Sequence, residues 1–365
     1  MSAIHKFWKL SWRIGLCLIL LAWIFHSIFR AETAAELGEA WTRLSRAEQW
    51  KYSWTFGPQQ LWNTISLVHP GAFALSLIFM VMTVLLGVIR WRMVLAAQGL
   101  HLPLSRATGI TFVAQFFNSF LLGSTGGDLI KAYYAARETH HKKTEAVTTV
   151  FVDRLIGLWS MLLFAALMML LNIRLLLSHE RLGACALLIL ALLVACSAVL
   201  WIAFWGGVSK RFPHGRSLLR KLPKGELLER SLDSCRQFGR ERALLAKAVA
   251  ISMALNVVCV LQVMSVAAGL DLEISPVALF VIVPIIICIS ALPITPSGLG
   301  VRENLFVLML AAPAINIAAT SALSLSLLTY AGGLFWNLIG GIVYIGLKKK
   351  EHLEEVTTDN VVENA

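Results

Sequence analysis

Four charged side chains, Asp128, Arg154, Arg302 and Glu303, stand beside or within long apolar runs. Ionised groups are costly inside a bilayer and are usually there for function. Asp128 follows the small-residue stretch Gly123-Ser124-Thr125-Gly126-Gly127, which ends one apolar run. Glycine frees the backbone there and lets a neighbour or ligand approach closely. The helix expected from Leu129 onward would present free N–H groups, a natural anion site. Ser124, Thr125 or Asp128 can cap that helix. An ionised Asp128 would instead fill the site itself, repel a phosphate, or pair with Lys131, Arg154 or Arg302. The second interruption, residues 293–303, brings Thr295 and Ser297 hydroxyls, Gly298 and Gly300, then Arg302 and Glu303. Pro293 and Pro296 break the helix by removing donors. Arg302 can grip a phosphate with two parallel bonds. Glu303 can neutralise Arg302 when no ligand is bound, or carry a proton. Asn118 precedes the first break and can bond a neighbouring helix.

These residues need a scaffold, and composition says which. The chain has 365 residues, 58% of them hydrophobic and 15% charged, with a mean hydropathy of +0.72. Soluble domains rarely exceed about half apolar residues. Several stretches approach the ~20 apolar residues that span a hydrocarbon core. The expected fold is all-α, a polytopic membrane protein whose helices satisfy their own backbone groups. The net charge of +11 reflects Lys and Arg gathered on the cytoplasmic side, and no nucleic acid is expected. The six Cys form no CxxC pair and read as small apolar residues; neither metal nor cofactor is expected.

In order, six full spans are expected near residues 12–29, 71–88, 148–171, 182–205, 248–270 and 321–347. The first is expected to stay uncleaved, since no small-x-small site follows it. Residues 30–70 should form one or two amphipathic helices outside, with Trp41, Trp50, Trp54 and Trp62 at headgroup level. The apolar runs near 109–122 and 276–292 are read as re-entrant, turning back at 123–128 and 293–303. This places most of the 32 Lys and Arg residues inside, with both termini cytoplasmic and the chain in the plasma (inner) membrane. The two units, residues 71–172 and 248–347, then form an inverted repeat, a recurring transporter plan. Residues 173–247 connect them, with residues 1–70 ahead. The segment 210–247 holds eleven Lys or Arg against four acids. It is either a solvated loop or a surface for anionic headgroups. The tail from residue 348 is expected to be disordered.

At the two breaks the sequence resembles the lysylphosphatidylglycerol synthase transmembrane-region family, also described as flippase-like. The matching pieces are Asn118 with Gly126-Gly127-Asp128, then Val152-Asp153-Arg154-Leu155-Ile156-Gly157, then Leu292 through Glu303 with its P-x-T-P-x-G-x-G-x-x-E order. Lys131 stands where many members have Arg. The resemblance implies a membrane-embedded translocator of polar lipids, anionic or polyprenyl-linked, and not an enzyme. Bifunctional members carry an aminoacyl-transferase domain after the membrane part. This chain ends shortly after its last expected span, so lipid aminoacylation is not expected. Two other readings stay open. One is an intramembrane enzyme or subunit on a lipid-linked substrate such as a polyprenyl-phosphate glycan, with Asp128 and Glu303 as acid and base. The other is a scaffold recruiting partners through 210–247.

Overall fold

The computed structural model describes residues 22, 25–26, 29–30, 33–34, 37–120, 126–138, 143–173, 180–204, 236, 238–239, 241–292, 298–313 and 315–363. Most of the expected first span and most of the basic connecting segment lie outside them. Among the described residues the chain is helical throughout. Among the described elements, α1 (Glu39–Arg43) and α2 (Arg46–Ser66) come ahead of the first long apolar helix. Ser45 and Glu48 form a reciprocal capping box at the start of α2, which satisfies two donors the helix would otherwise leave open. There follow α3 (Pro70–Ala97), α4 (Leu104–Phe120), α5 (Gly126–Glu138), α6 (Lys143–Leu171), α7 (Glu180–Phe204), α8 (Arg242–Gly269), α9 (Pro276–Ser290), α10 (Val301–Leu310) and α11 (Ala319–Glu363).

Among the described residues, five helices are long and apolar enough to cross a membrane: Pro70–Ala97, Thr144–Leu171, Gly183–Ile202, Arg242–Gly269 and Ala319–Gly346. They fall where the sequence reading put the second to sixth spans, and the protein is a multi-pass membrane protein. Two extents differ. The span expected at 71–88 continues to Ala97, so Arg90 lies within the helix and not beyond its end. The last helix continues to Glu363 through residues expected to lack structure. The run Leu347 to Val356 is rich in good helix formers and has no Gly or Pro to stop it.

The four helices beside the breaks are short, with 17 and 13 residues in α4 and α5, and 15 and 10 in α9 and α10. At 1.5 Å per residue none reaches much beyond ~25 Å, less than the ~30 Å hydrocarbon core. α4 and α5 run antiparallel. Arg106 Nε donates to Glu138 Oε1 at 2.7 Å at one end, and Gly127 N donates to Asn118 Oδ1 at 2.8 Å at the other. α9 is buried from Ala278 to Ile289 except for the partly buried Phe280 and Ile287, in one cluster with Phe306, Met309 and Leu310 of α10.

α11 shows how the two pairs are related. Ser119, near the tip of α4–α5, accepts from Asn337 at 2.6 Å. Further down α4, Gly109 faces Val343 of the same helix. Arg302, near the tip of α9–α10, donates to Ser326 at 3.3 Å, while Leu310 accepts from Ile317 at the foot of α11. The pairs thus approach α11 from opposite ends. Their tips meet it at Tyr330 and Asn337, about 10 Å apart at helical rise. α3 and α8, which lead into the two pairs, are themselves antiparallel. His69 N donates to Gly269 O at 2.8 Å at one end and Arg90 Nη1 to Ser252 Oγ at 2.8 Å nearer the other.

Contact between α4 and α11 depends on absent side chains. A Cβ on Gly340 would lie 2.1 Å from the Phe112 carbonyl oxygen, whereas one on Gly346 would meet nothing within 4 Å. Backbone cannot yield as a side-chain tip can. Gly340→Ala is therefore expected to cost about 1–3 kcal/mol or more and to lower the thermal unfolding midpoint of purified protein. Gly346→Ala serves as the control. Equal midpoints would show that α4 does not seat on α11 in this way.

Candidate functional site

The first break builds a charged cluster from three helices. α5 places Asp128 and Lys131 three residues apart, on one face. α6 supplies Asp153 and Arg154, which as neighbours point to different partners. α3 contributes Arg90. Asp153 receives Arg90 Nε at 2.8 Å and Lys131 Nζ at 3.3 Å. Arg90 also donates to Ser252 on α8, and Lys131 Nζ sits 4.2 Å above the Trp91 ring, a cation–π contact. The guanidinium of Arg90 fits because residue 157 is glycine; a Cβ there would lie 2.9 Å from Arg90 Nη2.

Arg154 turns the other way, to Asp128 Oδ2 at 3.5 Å. Exposure separates the two groups. Arg90, Lys131 and Asp153 are 11%, 10% and 8% exposed, while Arg154 and Asp128 are 39% and 30% exposed. The buried trio is fixed: removing one partner would strand a charge. The Arg154–Asp128 pair is long and open, and a ligand can exchange into it.

That pair faces a cavity of about 370 Å³. Its walls come from α3 (Gly87), α4 (Asn118), α6 (Gly157) and α8 (Asn256), and it reaches Ala291 at the second break. Three cations against two carboxylates leave the cluster positive. Polar groups line one part of the wall, and Val84, Leu158, Met161 and Leu255 line another. Such a space suits an anion attached to something apolar.

The start of α5 is less open to anions than its glycines suggest. Asn118 already takes the Gly127 N–H. Gly127 is pressed on α4, where a Cβ would stand 2.0 Å from the Ala114 carbonyl oxygen. Asp128 is the third residue of α5, not its cap.

The second break forms a separate cluster. Glu303 is fully buried and accepts from Gly300 N at 2.6 Å, from the Arg302 guanidinium and from Ser326 Oγ at 3.5 Å. Arg302 lies 4.4 Å over the Tyr330 ring. Gly298 and Gly300 have φ of +70° and +83°, which L side chains rarely adopt. Glu303 is the third residue of α10, as Asp128 is of α5. The inverted pairs therefore carry their acids at the same register. One acid closes on its own helix start; the other reaches out to Arg154.

Of the residues expected at the site, Asn118, Asp128 and Arg154 line the cavity, with Gly126 and Gly127 at the helix start beside it. Gly298, Gly300, Arg302 and Glu303 do not line it, so Arg302 does not share it with Asp128. Ser124, Thr125, Thr295 and Ser297 lie outside the described residues. Sequence reasoning missed Arg90, Ser252 and Asn256, had Lys131 only as a pairing partner of Asp128, and had Asp153 only within a family motif. Arg90 falls just past the span expected at 71–88, among the basic residues placed inside; the apolar residues on both sides of it, Ile89 and Trp91, were the available signal.

The family model described as Lysylphosphatidylglycerol synthase TM region matches residues 49–341. The match covers most of the chain, both breaks and the whole cavity, and the protein belongs to that family. A comparison with curated proteins finds no match.

Proposed function

We propose that this member of the lysylphosphatidylglycerol synthase transmembrane-region family moves a polar, phosphate-bearing lipid between leaflets. The observation that carries the proposal is the Arg154–Asp128 pair, half-open beside a cavity between spans and backed by the buried Arg90–Asp153–Lys131 trio. A lipid phosphate takes the Arg154 guanidinium and displaces Asp128. Asp128 then accepts from a headgroup hydroxyl or ammonium. The trio holds Arg154 in register through its neighbour Asp153 and adds positive potential. Acyl chains stay in the bilayer against the exposed apolar faces of the spans, such as Leu167, Leu170 and Leu171.

The opposed helix pairs supply two gates on one path. In this state the α9–α10 tip is closed on itself by Glu303, while the α4–α5 tip borders the cavity. The orientation that fits the basic residues has both termini cytoplasmic in the inner membrane, with α4–α5 entering from the cytoplasmic side. Glu303 is buried and bonded to Gly300 and Arg302, which gives an acid–base pair with Asp128 no support.

The test is translocation of fluorescent phospholipids in proteoliposomes. Arg154→Ala is expected to slow it about tenfold or more, the loss of one charge-assisted bond to phosphate. Asp128→Asn is expected to bind lipid at least as tightly and to release it more slowly. Rates equal to wild type in both variants would remove the pair from the path.

A further inference from the structure

A second basic cavity, of about 510 Å³, lies at the opposite end of the molecule and is lined by His26, Arg30, Arg46, Gln49 and Trp50. Its position follows from packing. The ring of Phe29 fills the notch at Gly57 of α2, where a Cβ would come within 2.1 Å of it. This fixes Arg30 beside the first turns of α2. Leu61 of α2 packs with Phe29 and with Leu323 in the N-terminal part of α11. The α4–α5 pair sits on the C-terminal part of the same span, around Asn337 to Tyr344.

The donors in this cavity are set by neighbours. Trp54 Nε1 donates to His26 Nδ1 at 3.1 Å, with the rings stacked. A neutral His26 therefore carries its proton on Nε2, as a donor. The Gln49 amide nitrogen donates to the carbonyls of Trp41 and Leu44, both at 3.2 Å. Its two hydrogens are used, and its carbonyl oxygen is the free acceptor. Arg30 and Arg46 are exposed guanidiniums, and no described carboxylate lines the cavity. Trp50, 59% exposed, adds an aromatic face of the kind found at headgroup depth. Among the described residues no carboxylate neutralises the two guanidiniums; like charges repel, and an anion between them removes the repulsion.

We infer that Arg30, Arg46 and His26 form a second anion site, for a phosphate ester whose neighbouring hydroxyl meets Gln49. Phosphate takes the two guanidiniums and the imidazole N–H. The polyol edge of the ester lies on Trp50 with a hydroxyl donating to the Gln49 carbonyl. The site stands on its own geometry. Its role as the station that receives or delivers a headgroup at the far leaflet rests on the translocation reading above.

The experiment is calorimetric titration of the full-length protein in detergent with four probes: short-chain phosphatidylglycerol, short-chain phosphatidylcholine, glycerol 3-phosphate and inorganic phosphate. Wild type is compared with Arg30→Gln/Arg46→Gln, with Gln49→Ala and with Arg154→Gln. Wild type is expected to show two binding events with phosphatidylglycerol. Arg30→Gln/Arg46→Gln should weaken one about tenfold or more and leave the other; Arg154→Gln should do the reverse. Gln49→Ala should lower the preference for phosphatidylglycerol over phosphatidylcholine without removing phosphate affinity, and it serves if the double variant misfolds. Glycerol 3-phosphate binding as well as the lipid would identify the soluble ester as sufficient. Binding by the lipid alone would place the source in the membrane. Affinities unchanged within twofold in both Arg30→Gln/Arg46→Gln and Gln49→Ala would overturn the site. Translocation lost in Arg154→Gln while those affinities stay unchanged would reject this site and leave the translocation reading standing. Phosphate binding lost in the double variant with no translocation by wild type would do the opposite.

Discussion

Asp153→Ala is expected to cost about 3–5 kcal/mol of stability, the price of breaking a buried ion network from its centre. Asp153 accepts from both Arg90 and Lys131, and all three side chains are about one-tenth exposed. Without the carboxylate, two cations face each other in a largely desolvated part of the cavity wall. Arg90 would keep its bond to Ser252, and Lys131 its place over Trp91. Neither is a counter-charge. The measurement is the thermal midpoint of purified protein in detergent. Asp153→Asn should fall almost as far, because an amide offers one acceptor and no charge. Adding Lys131→Met to Asp153→Asn should recover part of the loss by removing one stranded cation. A drop of less than ~1 kcal/mol in Asp153→Ala would mean that water reaches the trio, as at a surface pair. The variant also separates support from transport. A folded fraction that still moves lipid at normal rate would confine Asp153 to holding Arg90 and Lys131.

The trio also shows where reading the sequence stops. Asp153 and Arg154 are adjacent in the chain, and adjacency invites a pair. On a helix, neighbours point about 100° apart. Asp153 turns inward to Arg90, and Arg154 outward to Asp128. Arg90 looked like the end of a span because a charge normally ends one. Its partner lies 63 residues further on, and one sequence offers no spacing rule at that distance. What was legible had local causes. Apolar length marked six spans, five of them among the described residues; Pro and Gly marked the two breaks, and the basic residues favoured an inverted arrangement. The meeting of both tips on α11 was not legible. It depends on Gly340 against Phe112 and Arg302 over Tyr330, contacts between segments far apart in sequence. For the same reason Arg302 was placed in the lipid path, where its type fits, although its folded surroundings are Glu303, Ser326 and Tyr330.

Glu303→Ala is expected to release α10 without disturbing α4–α5. Glu303 has no exposed side-chain surface. Its carboxylate takes the Gly300 N–H at 2.6 Å, the Arg302 guanidinium and the Ser326 hydroxyl. Removing it leaves a buried cation and an unmade backbone bond, about 3–5 kcal/mol for the former alone. The loss is local, because Gly300 is where the chain re-enters helix with a left-handed φ of +83°. Amide exchange across residues 298–310 should therefore rise about tenfold or more relative to wild type, with residues 104–138 unchanged. Glu303→Gln separates two roles. A latch held by charge loosens when the charge goes, so exchange rises in Glu303→Gln as well. A carboxylate there only to carry a proton would leave exchange at the wild-type level and slow translocation instead. Asp128 supplies the internal comparison. It has the same register at the opposite tip, but it is open and paired at 3.5 Å, so Asp128→Asn should leave exchange in α5 nearly unchanged. If instead Asp128→Asn and Glu303→Gln loosened their helices equally, the two tips would be in equivalent states. The asymmetry between a tip closed on itself and a tip that walls the cavity would then be lost.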